Sequence, residues 1–424
     1  MELLEKILDN ENLQMAYERV CANKGAPGVD GMTVDDLYGY LVEHKERLLE
    51  QIRVRKYKPQ PVLRVEIPKG NGKMRKLGIP TVVDRYIQQA VSQVLIPIYE
   101  EQFSDSSYGF RPFRSCEKAV RKSLEFINAG FDWIVDIDLE RFFDTVHHDR
   151  LMNILHRTID DGDVLSLIRK FLVSGVMVES RYEDTPIGTP QGGNLSPLLS
   201  NIMLNELDKE LENRGLHFVR YADDCNIFVR SQKAAERVMK TTTLFIEKKL
   251  GLIVNASKSK IGRPEDIKFL GFGYFVDKTG KYQVRPHQQS FIKLKSKLKA
   301  LTCRSWNISL DERLKRIRRQ VLGWINYFRM AKMRTWLVDI DGHLRRRIRV
   351  VIWKQWKTRR KRYISLRKLG ARHKHAFWAA NSRKSYQHVC ITFPIQSTIT
   401  NQRLFKRGLI SLTTLYDEVH VVFS

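Results

Sequence analysis

The sequence has little cysteine, and none of it is paired by spacing. Cys21, Cys116, Cys225, Cys303 and Cys390 are scattered over 424 residues without a CxxC pair, which argues against a zinc ribbon or a disulfide scaffold and for a reducing, cytoplasmic compartment. Long apolar runs are also missing. No uninterrupted hydrophobic stretch reaches membrane-spanning length, and the opening MELLEKILDNENLQ is acidic and amphipathic where a signal peptide has a basic start and an apolar core. No membrane partner is expected. Disorder is excluded by 42% hydrophobic and 10% aromatic residues, enough apolar material for packed cores in roughly two or three domains.

Acid is the third shortage. The chain has 74 Lys and Arg against 47 Asp and Glu, a net charge of +27. From Arg285 to Lys374 there are 28 Lys and Arg but only four acids, Asp311, Glu312, Asp339 and Asp341, so this segment carries +24 of the total. A near-neutral body joined to so basic a segment suits a polyanion, with nucleic acid the leading candidate. A merely solubilising face is the alternative that charge alone leaves open. Trp306, Trp324, Tyr327, Phe328, Trp336, Trp353 and Trp356 fall among the basic residues, most of them as packing anchors and the rest as platforms for bases.

Periodicity makes the basic segment helical. Phe291, Leu294, Leu298 and Leu301 form one apolar stripe, Leu310 to Phe328 a second, and Leu337, Ile340, Leu344, Ile348 and Val351 a third. Ser309 and Glu312 have capping-box spacing before the second stripe. A bundle of about three helices follows, with Lys and Arg outward. Arg345, Arg346, Arg347 and Arg349 are the candidate nucleic-acid contacts, although one helix turns them around more than half its circumference. Upstream, Val62 to Ile67 alternates as a half-exposed strand, turns at Pro68-Lys-Gly-Asn-Gly-Lys73 and returns through Arg75 to Pro80. Lys69, Lys73 and Arg75 at its tip suit phosphate oxygens, or serve as an ordinary solubilising turn.

Trp133 to Leu139 is a strand by composition, and period two sets Asp136 and Asp138 on the face opposite Trp133, Val135 and Ile137. Acids in a buried strand are costly unless paired, hydrogen-bonded or coordinating a cation. His217 to Val229 has two strand-like flanks around Ala222-Asp223-Asp224, which places adjacent carboxylates at a hairpin tip. An Asp-Asp turn is common in its own right. With the Asp138 strand beside it, however, the set can hold two magnesium ions for in-line phosphoryl transfer, and a nucleotidyl transferase is the economical reading.

Asp138-Leu-Glu-Arg-Phe-Phe-Asp144, Thr189-Pro-Gln-Gly-Gly-Asn-Leu-Ser-Pro-Leu199 and Tyr221-Ala-Asp-Asp224 resemble three successive blocks of reverse transcriptases, in wording close to proteins encoded by bacterial group II introns. Asn23 to Gly31 resembles their N-terminal extension, Ile67 to Arg85 their fingers block, Gly109-Phe-Arg-Pro112 the next block and Lys268 to Phe272 the block closing the palm. Gly323 to Phe328 resembles the maturase thumb, domain X. The resemblance spans roughly residues 10 to 370. It implies an α+β right-hand polymerase, with fingers and palm built of antiparallel sheet and helices, followed by an all-helical thumb. The expected boundaries are 1–30 for the extension, 31–284 for fingers and palm, 285–375 for the thumb and 376–424 for a short C-terminal region, with DNA binding suggested by that likeness.

The same resemblance implies roles. Asp138, Asp223 and Asp224 would be ligands of two magnesium ions, assisted by the backbone carbonyl of Leu139. Lys69 and Arg75 would clamp the incoming triphosphate and Gln191 would line its pocket. Phe143 would sit under the sugar and exclude a ribose 2′-hydroxyl, or else simply pack beside Phe142. Asp136 and Asp144 are supporting residues. Implied partners are the intron RNA, an RNA template with a DNA primer, and a DNA target. The competing function is a maturase that binds RNA without synthesis; a retron-type enzyme is disfavoured by the domain X likeness. The residues His147-His148 lack metal-ligand spacing. Lys258-Ser-Lys260 matches a block with a lysine near the primer, or is a solvated turn, and Cys225 stands where many relatives carry a larger residue. The tail from His375, with Cys390 alone, carries no paired-cysteine nuclease. It has β-prone stretches at Tyr386–Phe393 and Val419–Phe423.

Overall fold

The computed structural model describes residues 2–69, 73–179, 181–185, 187–188 and 192–421, which form two compact units, Met1–Arg263 and Pro264–Ser424. No helix among the described residues is long and apolar enough to cross a membrane.

The first unit holds two four-stranded sheets. One contains β1 (Val62–Lys69) and β2 (Lys73–Ile79), paired antiparallel in the register Ile67 to Arg75. The other contains β3 (Trp133–Ile137). Two short strands, β4 (Val176–Val178) and β5 (Arg181–Glu183), complete the first sheet in the order β2-β1-β4-β5. Then β6 (His217–Tyr221), β7 (Asp224–Val229) and β8 (Lys260–Gly262) complete the second in the order β6-β7-β3-β8. The second sheet alternates as period two requires. Val135, Ile137, Cys225 and Ile227 point into the core with Leu198, Leu199 and Ile202 of the helix Ser196–Asn213, leaving the opposite face to Asp136 and its neighbours. The N-terminal segment joins this core. Leu13, Ala16 and Val20 of the helix Asn10–Asn23 are buried, and Asn12 Nδ2 donates to the Ala90 carbonyl of the helix Val82–Glu100.

The second unit opens with a three-stranded sheet, β9 (Lys268–Phe269), β10 (Phe272–Val276) and β11 (Tyr282–Pro286). A palm ending at residue 284 would group these strands with the first unit, yet they pack on the helices that follow. Tyr327 Oη donates to the Leu270 carbonyl at 2.8 Å, and Lys332 N to the Val284 carbonyl at 2.9 Å. Helices Gln288–Leu301, Leu310–Tyr327 and Arg334–Gln355 carry the three stripes, most of whose residues are buried as their spacing predicts, with Leu301, Leu310 and Trp324 half-buried. Ser309 Oγ caps the second helix by accepting from Glu312 N.

The tail departs from expectation. Tyr386–Cys390 is a helix where a β-prone stretch suggested a strand, and Phe393–Thr398 and Leu412–Val419 are helices as well; of the second β-prone stretch, 419–423, residue 419 ends the last helix and residues 422–423 lie outside the described residues. Local caps decide this: Ser385 Oγ accepts from His388 N and Ser411 Oγ from Thr414 N. Tertiary burial then fixes the choice. Asp341, buried in Arg334–Gln355, accepts from Leu412 N, Thr413 N and both Ser411 and Thr413 hydroxyls. Asp341→Ala should therefore cost at least about 1–2 kcal/mol and free the helix Leu412–Val419. Amide exchange of that helix measures it, and unchanged protection would show that side-chain packing alone docks the tail.

Candidate active site

The pairing of β3 with β7 runs from Trp133 opposite Val229 to Ile137 opposite Cys225. Continued by one residue, that register sets Asp138 opposite Asp224. On the other side β8 pairs Asp136 with Lys260, which sets Lys258 opposite Asp138. Lys258 Nζ indeed straddles that carboxylate, 2.8 and 3.0 Å from its two oxygens. The backbone of Asp138 is clamped by the same segment, its carbonyl accepting from Asn255 N and its N–H donating to Ser259 Oγ.

The hairpin tip is held from below. Tyr221 pairs with Asp224, so Ala222 and Asp223 make a two-residue loop, and Ala222 takes φ +56° in the left-handed region. That conformation is unfavourable for a residue with a Cβ. Arg220 stabilises it: its guanidinium donates to the Ala222 carbonyl at 3.0 Å, to both Asp208 oxygens at 2.7 and 2.5 Å, to Asn201 Oδ1 at 3.1 Å and to Ser107 Oγ at 2.8 Å. All five bonds are buried. Gly109 closes the other side, where a Cβ would lie 2.3 Å from Ala222 N; only glycine permits the approach.

The carboxylates repel one another. Burial, then Asp223, Asp136 and Asp138, push the Asp224 carboxyl up to about 7. Burial and Asp138 push Asp136 to about 6 against the pull of Lys260. Burial first, and Asp138 second among the raising causes, push Asp223 up, opposed in part by Arg75 and Lys258. Opposite Asp136 in register, the buried Asn226 Oδ1 has no hydrogen-bond partner among the described residues. Hard oxygen donors carrying excess like charge fit a magnesium-type cation. No three His, Cys, Asp or Glu side chains already converge on one point among the described residues, and magnesium needs few, because waters and substrate phosphates complete its shell.

The other sequence candidates take separate places. Arg75 is exposed on β2 and close enough to Asp223 to lower its pKa. Phe143, half-buried and edge-on to Phe142 at 5.2 Å, lines a cavity of about 310 Å³ with Arg64, Lys76, Gly78, Arg141 and Asp144. Leu139 is bridged to Val254. The Lys69 side chain and all of Gln191 lie outside the described residues. Gly192, next to Gln191, has φ +121° and meets β2 so closely that a Cβ would stand 2.3 Å from the Gly78 carbonyl oxygen. His148 is buried, with Nε2 at 2.6 Å from the Gly188 carbonyl oxygen, a structural latch.

The four thumb arginines separate. Arg346 is exposed, and Arg345 is half-buried. Arg347 donates to Thr302 Oγ1 and the Lys299 carbonyl. Arg349 is buried, donating to the Ile399 carbonyl and Asn401 Oδ1 at 2.9 Å each. The expectation of an outward nucleic-acid contact is therefore corrected for Arg349, because tail helices cover its side of the helix. Sequence reasoning missed Arg220, Asn226 and the tie of Lys258 to Asp138; only the β8 register could have signalled the last.

Residues 67–274 match the family described as reverse transcriptase (RNA-dependent DNA polymerase), and residues 292–370 match the group II intron maturase-specific domain. Protein YkfC of Escherichia coli is 36% identical over 310 residues, 63% of this chain and 81% of that protein. Group II intron-encoded protein LtrA of Lactococcus lactis is 42% identical over 207 residues, 49% of this chain and 34% of that one. The chain thus spans about four fifths of one of these relatives and about a third of the other. Among solved structures, Candida albicans telomerase aligns at TM-score 0.45 and 14% identity over 72% of this chain and 62% of that one.

Asp224 confers a pH dependence. Its carboxyl sits at about 7 against an ordinary 3.8, so the folded state favours its protonated form. The stability this contributes is complete below about pH 4 and is lost as the pH rises through about 7. The metal-free protein should melt at progressively lower temperature over that window. A divalent cation offsets the same repulsion, so the magnesium-induced rise in melting temperature should be small near about pH 5 and large near about pH 8. A magnesium effect of equal size at both would remove Asp224 from the cation site.

Proposed function

The chain belongs to the RNA-dependent DNA polymerase family, in the branch that carries a group II intron maturase-specific domain, and on that premise we propose that it copies intron RNA into DNA and binds that RNA to assist splicing and mobility. The observation that carries this reading is the meeting of Asp138, Asp223 and Asp224 on one sheet edge inside the matched region. Two magnesium ions bound there would supply charge compensation for the attacking 3′-hydroxyl and the leaving pyrophosphate. The chain's own residues do the rest. Asp138, which pairs with Lys258, would hold a cation together with Asp223 and Asp224, assisted by the Leu139 carbonyl. The Arg220 bonds hold the Asp223–Asp224 turn in one orientation, so no reorganisation is needed when substrate arrives. Arg75 and Lys69 take the triphosphate, Gln191 lines the pocket, and Phe143 stands under the sugar. Arg346, the most open of the thumb arginines, contributes to RNA contact.

Primer extension on an RNA template tests the proposal. Asp223→Asn should lower magnesium-dependent DNA synthesis at least about a thousand-fold, roughly 4 kcal/mol of transition-state stabilisation, while RNA affinity persists because the cationic surface is untouched. Extension at wild-type rate by this variant would dismantle the carboxylate assignment. Phe143→Ala should raise ribonucleotide over deoxynucleotide incorporation about ten-fold, equivalent to about 1.4 kcal/mol of discrimination. Unaltered sugar choice would leave Phe143 as packing for Phe142.

A further inference from the structure

Between Gly342 and Tyr416 the sequence contains no Asp or Glu. Inside this acid-free stretch, and from the loop before it, cations gather about one tyrosine. Arg362 lies 5.0 Å from the Tyr386 ring centroid, Arg304 5.6 Å and Lys354 5.8 Å. The three cations come from the loop after Gln288–Leu301, the end of Arg334–Gln355 and the helix Arg359–Lys368, and the tyrosine from the helix Tyr386–Cys390. Arg362 is fixed in advance. Its Nε donates to the Trp356 carbonyl at 3.0 Å, it lies 4.9 Å from the Trp353 ring, and it is only 9% exposed.

Five carboxylates of this unit are committed elsewhere, and no ion pair joins any carboxylate to Arg304, Lys354 or Arg362 among the described residues. Asp311 pairs with Arg407, Glu312 with Arg316, Asp277 with Lys332 and Asp417 with Arg334, while Asp341 caps the last helix. A cation over a tyrosine face at an exposed site is worth about 0.5–1 kcal/mol, and three of them around one ring also repel one another. The cluster thus has ordered geometry without an internal counter-ion. Its cations beside the Tyr386 hydroxyl, a further donor, suit the oxygens of a phosphodiester.

We propose that Arg304, Lys354, Arg362 and Tyr386 form a binding site for a nucleic-acid backbone phosphate, built jointly by the maturase-specific domain and the helices that follow it. The proposal rests on the reading of the chain as a nucleic-acid enzyme and adds a place and a role for the tail, since Tyr386 lies beyond the matched residues 292–370. The same surroundings lower the Tyr386 hydroxyl pKa, chiefly through the Arg362 guanidinium beside it.

The full chain carrying Arg304→Gln and Lys354→Gln tests this, since both side chains are exposed. Affinity for an RNA stem-loop and for a DNA duplex is measured from low to moderate salt, beside a control variant with Lys297→Gln and Lys315→Gln. Loss of two phosphate contacts should make the log–log salt slope shallower by about 1.4 to 1.8 and weaken binding about ten-fold at low salt. Tyr386→Phe should weaken binding several-fold at unchanged slope. An effect on the stem-loop alone assigns the site to RNA, on the duplex alone to DNA; either supports it. Equal losses in the control variant, no loss in the Arg304/Lys354 variant, a Tyr386→Phe variant identical to wild type, or loss confined to an acidic peptide such as polyglutamate would each overturn it. Primer extension by the wild-type chain reports on the polymerase reading separately.

Discussion

One buried guanidinium organises the first unit. Arg220 and Asp208 are both removed from solvent and meet through two parallel hydrogen bonds, the geometry in which a desolvated pair recovers the cost of leaving water. What remains of the guanidinium joins Ser107, Asn201 and the carbonyl of Ala222. Three sequence blocks, at Ser107, at Asn201 to Asp208 and at Arg220 to Ala222, thus share one charge. Replacing a partner would leave a buried charge uncompensated, typically a loss of about 3–5 kcal/mol. The strained Ala222 backbone would lose its support at the same moment.

The opposing constraint is repulsion. A sheet that places Asp136, Asp138 and Asp224 on one half-buried face stores unfavourable electrostatic energy, and burial first, then repulsion, raises the carboxyls of Asp136, Asp223 and Asp224. Lys258 offsets part of it by straddling Asp138. The site is therefore poised: rigid in its backbone through Arg220, and short of positive charge at its surface. Function and stability pull against each other here, as they do where catalytic groups are gathered.

The carboxylates were legible because period two needs only neighbouring residues, and the stripes of the basic helices because periodicity near 3.6 is equally local. Arg220 was not legible. Its partners lie 12, 19 and 113 positions away, and an arginine between a valine and a tyrosine in a strand reads as an edge residue. Arg349 failed in the opposite direction: a run of arginines suggests an outward row, but the Ile399 carbonyl that receives it belongs to a segment 50 residues on. The stretch Tyr386–Phe393 was misread because Val, Ile, Phe and Thr favour strands, while the cap at Ser385 and burial against Arg334–Gln355 made a helix of Tyr386–Cys390.

Gly192 gives the first unit a mechanical property. Its backbone rests on the Gly78 carbonyl of β2 with no side chain between, so no rotamer can absorb a displacement. A few residues on begins Ser196–Asn213, the helix whose Asn201 and Asp208 grip Arg220. The strand carrying Arg75 and the turn carrying Asp223 therefore lie at the two ends of one stiff lever. Load applied at the hairpin would have a backbone route to the carboxylates, independent of any contact made with them directly.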